Sequence, residues 1–108
     1  MTQAILIATI YPKPGKADRV IELLLQTAKI VHAEEPYVTE YMCYREVNFQ
    51  DGQEDIIMFE RYTSMENQNI HMGVPHVAKL LNTWEEEGLL RQPPLIKNVE
   101  HVGGFAGR

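Results

Sequence analysis

The octapeptide AILIATIY, residues 4–11, is a strand with no wet side. Successive side chains alternate across a strand, so Ile5 and Ile7 point one way while Leu6, Ala8 and Ile10 point the other. A strand apolar on both faces is buried on both faces. In a small sheet that carries its helices on one side, the opposite face then has to be covered by another sheet or another subunit. Pro12-Lys-Pro-Gly15 ends the strand.

From Lys16 the period becomes helical. Val20, Leu23, Leu24, Thr27 and Val31 form one stripe, widened by Ile21, Leu25 and Ala28, with Asp18, Glu22, Gln26 and Lys29 on the wet side. This helix ends before Glu35-Pro36, because a residue preceding proline is pushed out of the helical region. Residues 38–47 and 54–62 read as two strands, joined across Asp51-Gly52, a strong hairpin signal. Thr63-Ser-Met-Glu66 fits a capping box with Thr63 as N-cap. The helix it opens runs to about His71. Gly73 and Pro75 then break it, and Pro75 suits the first turn of a second helix bearing Val77, Leu80, Leu81 and Trp84. Glu85, Glu86, Glu87 and Gly88 close that helix. Pro93-Pro94 precedes a last strand at about residues 95–102, and residues 103–108 are expected to form a loose tail.

The order strand, helix, strand, strand, helix, strand predicts an α+β, ferredoxin-like four-stranded antiparallel sheet with the helices on one face, in a single domain spanning 1–108. Two such sheets packed face to face would hide the bare side, so a homodimer, a dimeric α+β barrel, is expected on physical grounds alone.

Composition narrows the function classes. Hydrophobic residues make up 44% and charged residues 23% of the 108, which is globular and not disordered. A formal charge of −5 without a basic patch argues against nucleic acid or an anionic membrane as partner. The apolar run of residues 4–10 is too short to span a bilayer and no secretory leader pattern precedes it, so a cytoplasmic location is expected. The lone Cys43 excludes an internal disulfide and a cysteine-rich metal site, and is itself expected to be an inert core residue.

Chemistry is expected around His71 and His76, which flank the helix break. Imidazole, with an unperturbed pKa of about 6.5, holds both protonation states near neutrality and suits work on a phenolic proton. At a helix N-terminus His76 is expected to be neutral. Five residues apart, the pair lacks the spacing of helical metal ligands, so no metal is expected. The alternative is that one or both merely cap a helix or satisfy backbone carbonyls. Tyr11, Tyr41, Phe59, Tyr62 and Trp84 are candidates to line an aromatic pocket, although such residues more often pack a core. Parity places Tyr41 and Cys43 on one face of their strand, with Met42 and Tyr44 on the other. A buried Glu60 would need a partner, Arg45 or a backbone amide. His101 is a third candidate if the last strand turns it inward.

Several of these residues carry a family resemblance. Pro12-Lys-Pro-Gly-Lys16 after the first strand, Glu35-Pro36 followed by Tyr41, Glu60-Arg-Tyr62 ending the third strand, and His71 with Pro75-His76 opening the next helix resemble the antibiotic biosynthesis monooxygenase family of dimeric α+β barrels. The usual glycine of that family's Glu-Pro-Gly is replaced by Tyr37. The resemblance implies a homodimer with a pocket between sheet and helices in each protomer. It also implies cofactor-independent oxygenation by dioxygen of a small planar quinol, anthrone or polyphenol. Relatives of this fold instead isomerise or cyclise metabolites, degrade haem, or bind without catalysis. The haem-degrading branch places an asparagine, a tryptophan and a ligating histidine where this chain has Ala8, His71 and about Leu81, which points away from haem. The resulting expectation is a cofactor-free monooxygenase using His71 and His76. An acid/base isomerase, cyclase or lyase, and a non-catalytic barrel, are the alternatives.

Overall fold

The computed structural model describes residues 2–108. Its elements are β1 (Ala4–Pro12), α1 (Ala17–Glu34), β2 (Val38–Arg45), β3 (Ile56–Tyr62), α2 (Met65–His71), α3 (Pro75–Glu86) and β4 (Leu90–Val99). The four strands form one antiparallel sheet in the order β2-β3-β1-β4. This is the ferredoxin-like arrangement, with α2 and α3 together taking the place of the second helix.

The two-faced strand takes the centre, as its composition demands. Leu6, Ala8 and Ile10 of β1 and Met58 of β3 face the helices and form the core with Val20 and Leu24 of α1 and Leu80 and Trp84 of α3. The buried positions of α1 are Ala17, Val20, Leu24, Thr27 and Val31, the three-and-four spacing of a helix with one apolar stripe. Across the sheet, Ile7, Thr9, Ile57 and Phe59 face away from the helices. Met42 and Tyr44 on the same side are about half exposed, at 48% and 53%. Among the described residues no helix covers that face.

The turn between β2 and β3 carries Asp51 and Gly52 at φ 57° and 68°, with the Gln53 amide donating to the Gln50 carbonyl at 3.0 Å. Two positive φ values in succession are the mark of a type I′ turn, which Asp-Gly favours. At α2 the cap moves by one residue from the expectation. Ser64, not Thr63, is the N-cap and accepts from the Asn67 amide at 3.1 Å, while the Thr63 amide donates to the Tyr37 carbonyl and its hydroxyl accepts from the Asn67 side chain. The break at 72–74 lies where Gly73 and Pro75 place it, with Pro75 in the first turn of α3. The C-terminus of α3 is a Schellman motif: Leu89 donates to the Trp84 carbonyl and Gly88, at φ 62°, to that of Glu85.

The largest departure is β4. It spans Leu90–Val99, so Pro93-Pro94 lie inside a strand that was expected to begin after them. They are tolerated because β4 is an edge strand, and its register with β1 shifts between Thr9 and Tyr11, opposite the prolines. Residues 100–108 are exposed and carry no regular element, so His101 does not turn inward.

Gly88 has a conformation that L side chains rarely adopt, while a Cβ there would meet nothing nearer than the Lys13 Nζ at 3.6 Å. Gly88→Ala is therefore expected to lower stability by about 1–2 kcal/mol, through backbone strain alone. Urea denaturation monitored by circular dichroism measures it.

Candidate active site

The site begins with a carboxylate that has to be buried. Glu35 follows the last turn of α1, and Pro36 prevents the helix from continuing. The chain turns there (φ −123°, ψ 76°) while the Glu35 amide still donates to the Val31 carbonyl. The side chain thereby enters the protein, where the residue is only 2% exposed. Three donors meet it. His76 Nε2 lies 2.6 Å from Oε2, His71 Nδ1 lies 2.9 Å from Oε1, and the Tyr37 hydroxyl donates to Oε1 at 2.8 Å. Burial pushes the Glu35 carboxyl up, but the hydrogen bonds from His76, His71 and Tyr37 together bring it below its ordinary value. Glu35 is thus an anion that only accepts, so each imidazole nitrogen facing it carries a proton.

That assignment fixes the face of His71 turned to the interior. Burial depresses the pKa of this imidazole more than Glu35 raises it, so the ring is neutral at pH 7. With its proton on Nδ1, Nε2 is a bare acceptor, 3.9 Å from Glu60 Oε1. Glu60 sits on the core face of β3 and is pushed up to about 7 by burial. The Tyr62 hydroxyl, which donates to Oε1, opposes this shift, and the negative Glu35 adds to it. Tyr41 and Tyr62 pack against the His71 ring at centroid distances of 5.5 and 5.3 Å. Burial, reinforced by Glu60, pushes both phenols far up, so they stay protonated.

Glu60, His71 and Tyr41 form the polar corner of an otherwise apolar cavity of about 80 Å³ between sheet and helices. Leu6, Ala8, Leu24, Met58 and Leu80 supply much of the rest of its wall. A carboxyl that titrates near neutrality beside a bare imidazole nitrogen is suited to accepting and returning a proton.

The two histidines do not share a volume. His71 lines the cavity, whereas His76 opens onto an outer depression of about 490 Å³ bordered by Ile30, Tyr37, Val74 and Lys79. What joins them is Glu35, one oxygen each. Tyr41 and Trp84 line the cavity, and Tyr62 lies behind it against Glu60. Tyr11 and Phe59 are on the opposite face of the sheet, since they fall on the odd-numbered positions of β1 and β3. There they stack under Arg91 and Arg61 at 5.3 and 5.4 Å. Arg45 pairs with Glu54 and Asp18 and leaves Glu60 to Tyr62. In sequence Glu35 marks a helix end and belongs to the family resemblance, but its histidine partners lie 36 and 41 residues away. Both imidazole N–H groups point at the same carboxylate, and among the described residues no set of three or more ligating side chains converges on a metal position.

A ferredoxin-like α+β domain with a buried carboxyl and imidazole at one corner of an apolar cavity is the class that fold and site define. The family model for antibiotic biosynthesis monooxygenases matches residues 4–83, and the chain belongs to that family. A Mycobacterium tuberculosis protein of solved structure is 25% identical, with 97% of this chain and 100% of that one covered and a TM-score of 0.76. A Caulobacter crescentus protein, provisionally named an antibiotic biosynthesis monooxygenase, is 22% identical over 94% of this chain and 91% of its own, with a TM-score of 0.77. For a Pseudomonas aeruginosa protein the values are 20%, 95%, 97% and 0.76. The latter two likenesses establish the fold alone. No curated protein matches the sequence. Among the described residues no helix is long and apolar enough to cross a membrane.

Glu60 provides a test of the electrostatics. A carboxyl whose folded pKa stands above its unfolded one loses stability as pH rises from about 4.5 to about 7, here on the order of 3 kcal/mol. Glu60→Gln keeps an acceptor for Tyr62 and removes the charge. It is expected to melt close to the parent at pH 5 and several degrees above it at pH 8, in calorimetric scans at both pH values.

Proposed function

We propose that the protein is a cofactor-independent monooxygenase acting on a small, planar, electron-rich phenol of the quinol, anthrone or polyphenol kind. The observation that carries this reading is the pairing of Glu60 with the bare Nε2 of His71 at one corner of an apolar cavity. A substrate hydroxyl at that corner gives its proton to the Glu60 carboxylate and accepts no competing charge from its surroundings. The phenolate left behind is a far better electron donor than the phenol. Dioxygen takes its electrons from the substrate itself: one oxygen atom replaces two hydrogens of the substrate as a carbonyl, and the other leaves as water. The Tyr62 hydroxyl supports Glu60, and Tyr41 and Trp84 hold the ring. His76 does not touch the cavity and acts as a positioning residue, holding Glu35 and through it His71.

The same corner would serve an isomerase, cyclase or lyase, because proton transfer between Glu60 and His71 needs no oxygen. Oxygen uptake separates the two readings. The protein is further proposed to work as a homodimer in the cytoplasm, with the Met42, Tyr44 and Phe59 face of one sheet packed on that of a second copy. The half-exposed apolar side chains there support this assembly.

In an oxygen electrode with hydroxylated anthrones and quinols, His71→Ala is expected to lower turnover at least tenfold, about 1.4 kcal/mol of barrier. His76→Ala should lose less. Since Glu60 accepts only when ionised, kcat/KM should rise through about pH 7. Unchanged turnover in a folded His71→Ala would remove the proposed role, and turnover without oxygen uptake would favour the second reading. Sedimentation at micromolar concentration should show a dimer; a compact monomer would sink the assembly.

A further inference from the structure

The cavity beside Glu60 is too small for the ligand its chemistry suits. About 80 Å³ is roughly half of the ~150 Å³ in which an apolar protein interior takes up one benzene ring. A hydroxylated ring enters only if a wall moves, and one wall separates two spaces. Leu81, Trp84 and Pro94 border the cavity and also an outer groove of about 430 Å³ that runs on to Glu85, Leu90 and Gln92. Of the three, Pro94 is a rigid ring within β4 and Trp84 is packed in the core at 4% exposure. Leu81, at 45% exposure, is the one of the three with open solvent beside it. The Trp84 indole N–H is buried and has no hydrogen-bond partner among the described residues, an unfavourable state that an acceptor atom relieves. Glu85 at the rim, in a chain of charge −5, disfavours an anion in the groove.

We infer that the groove is the second half of the ligand site and that Leu81 is the gate between the halves. The ligand is then longer than one ring: a phenolic head at Glu60 and His71, and an uncharged apolar body that passes Leu81, lies along Trp84 and carries an acceptor oxygen. This rests on the phenol-site reading above and adds what sets substrate length. Leu81 and Gln92 are the specificity-determining positions.

The test reads binding, without turnover. Phenol and the two-ring 4-hydroxybenzophenone are titrated calorimetrically, and the indole ¹H–¹⁵N resonance of Trp84, the one tryptophan in the chain, is followed in parallel. The parent protein is expected to bind 4-hydroxybenzophenone at least tenfold more tightly than phenol, with the indole proton moving downfield. Gln92→Phe, at an exposed position, fills the groove. It should abolish the tenfold preference while phenol affinity stays within twofold. Leu81→Ala should raise the association rate of 4-hydroxybenzophenone several-fold. Equal affinity for the two ligands, equal weakening of both by Gln92→Phe, or an unmoved indole resonance would each overturn the inference and leave the phenol site standing. Failure of both ligands to bind would overturn the phenol site, and this inference with it.

Discussion

A charge kept from water must be met by donors, and the Glu35 carboxylate imposes that condition on the whole helical side of the protein. Its three donors come from three places: Tyr37 at the approach to β2, His71 at the end of α2 and His76 at the start of α3. Two stretches distant in sequence, the turn from α1 into β2 and the break between α2 and α3, are therefore held to one group. Losing any one of these donors leaves a buried anion under-compensated, which is why such clusters are strongly cooperative. The same condition produces the chemistry. Because the Glu35 carboxylate only accepts, it dictates which nitrogen of His71 is protonated, and the bare nitrogen is then the one that faces Glu60.

Two carboxylates of one site are thus driven in opposite directions. Glu35, with three donors, is held ionised. Glu60, with only the Tyr62 hydroxyl and with Glu35 for a neighbour, is held near the point of half-protonation. Neither depends on a cation, and no arginine or lysine hydrogen-bonds either carboxylate. Hydrogen bonding outweighs burial at Glu35, whereas at Glu60 burial and the charge of Glu35 outweigh the one hydroxyl.

Most of the fold was legible because it rests on local periodicity. The doubly apolar β1, the stripe of α1, the Asp51-Gly52 turn and the break at Gly73 and Pro75 are each decided within a few residues. Misplacements arose where a local signal competed with a distant partner. Thr63 is a good N-cap on its own, but its hydroxyl accepts from the Asn67 side chain while its amide donates to the Tyr37 carbonyl. Pro93-Pro94 forbid a central strand and permit an edge one, and only the topology tells which applies. The site was half legible. His71 follows from the helix break, and the parity of β2 separates Tyr41 from Met42 and Tyr44 without telling which face meets the helices. Tyr11 and Phe59 share the parity of Ile7 and Ile57, which turns them away from the helices. Glu35 carries no mark of its role, since a carboxylate before a proline reads equally well as a solvated helix end.

The prolines of β4 have one more consequence. A strand at the border of a sheet offers unpaired amides on which a further strand can grow, and chains with such borders are prone to stack into fibrils. Successive amides of a strand point to opposite edges, so Pro93 and Pro94 take one donor from the open border and one from the side of β1, where the register is already irregular. Ladder growth on this border is weakened by the missing donor, whereas the border formed by β2, which has no proline, keeps all of its own.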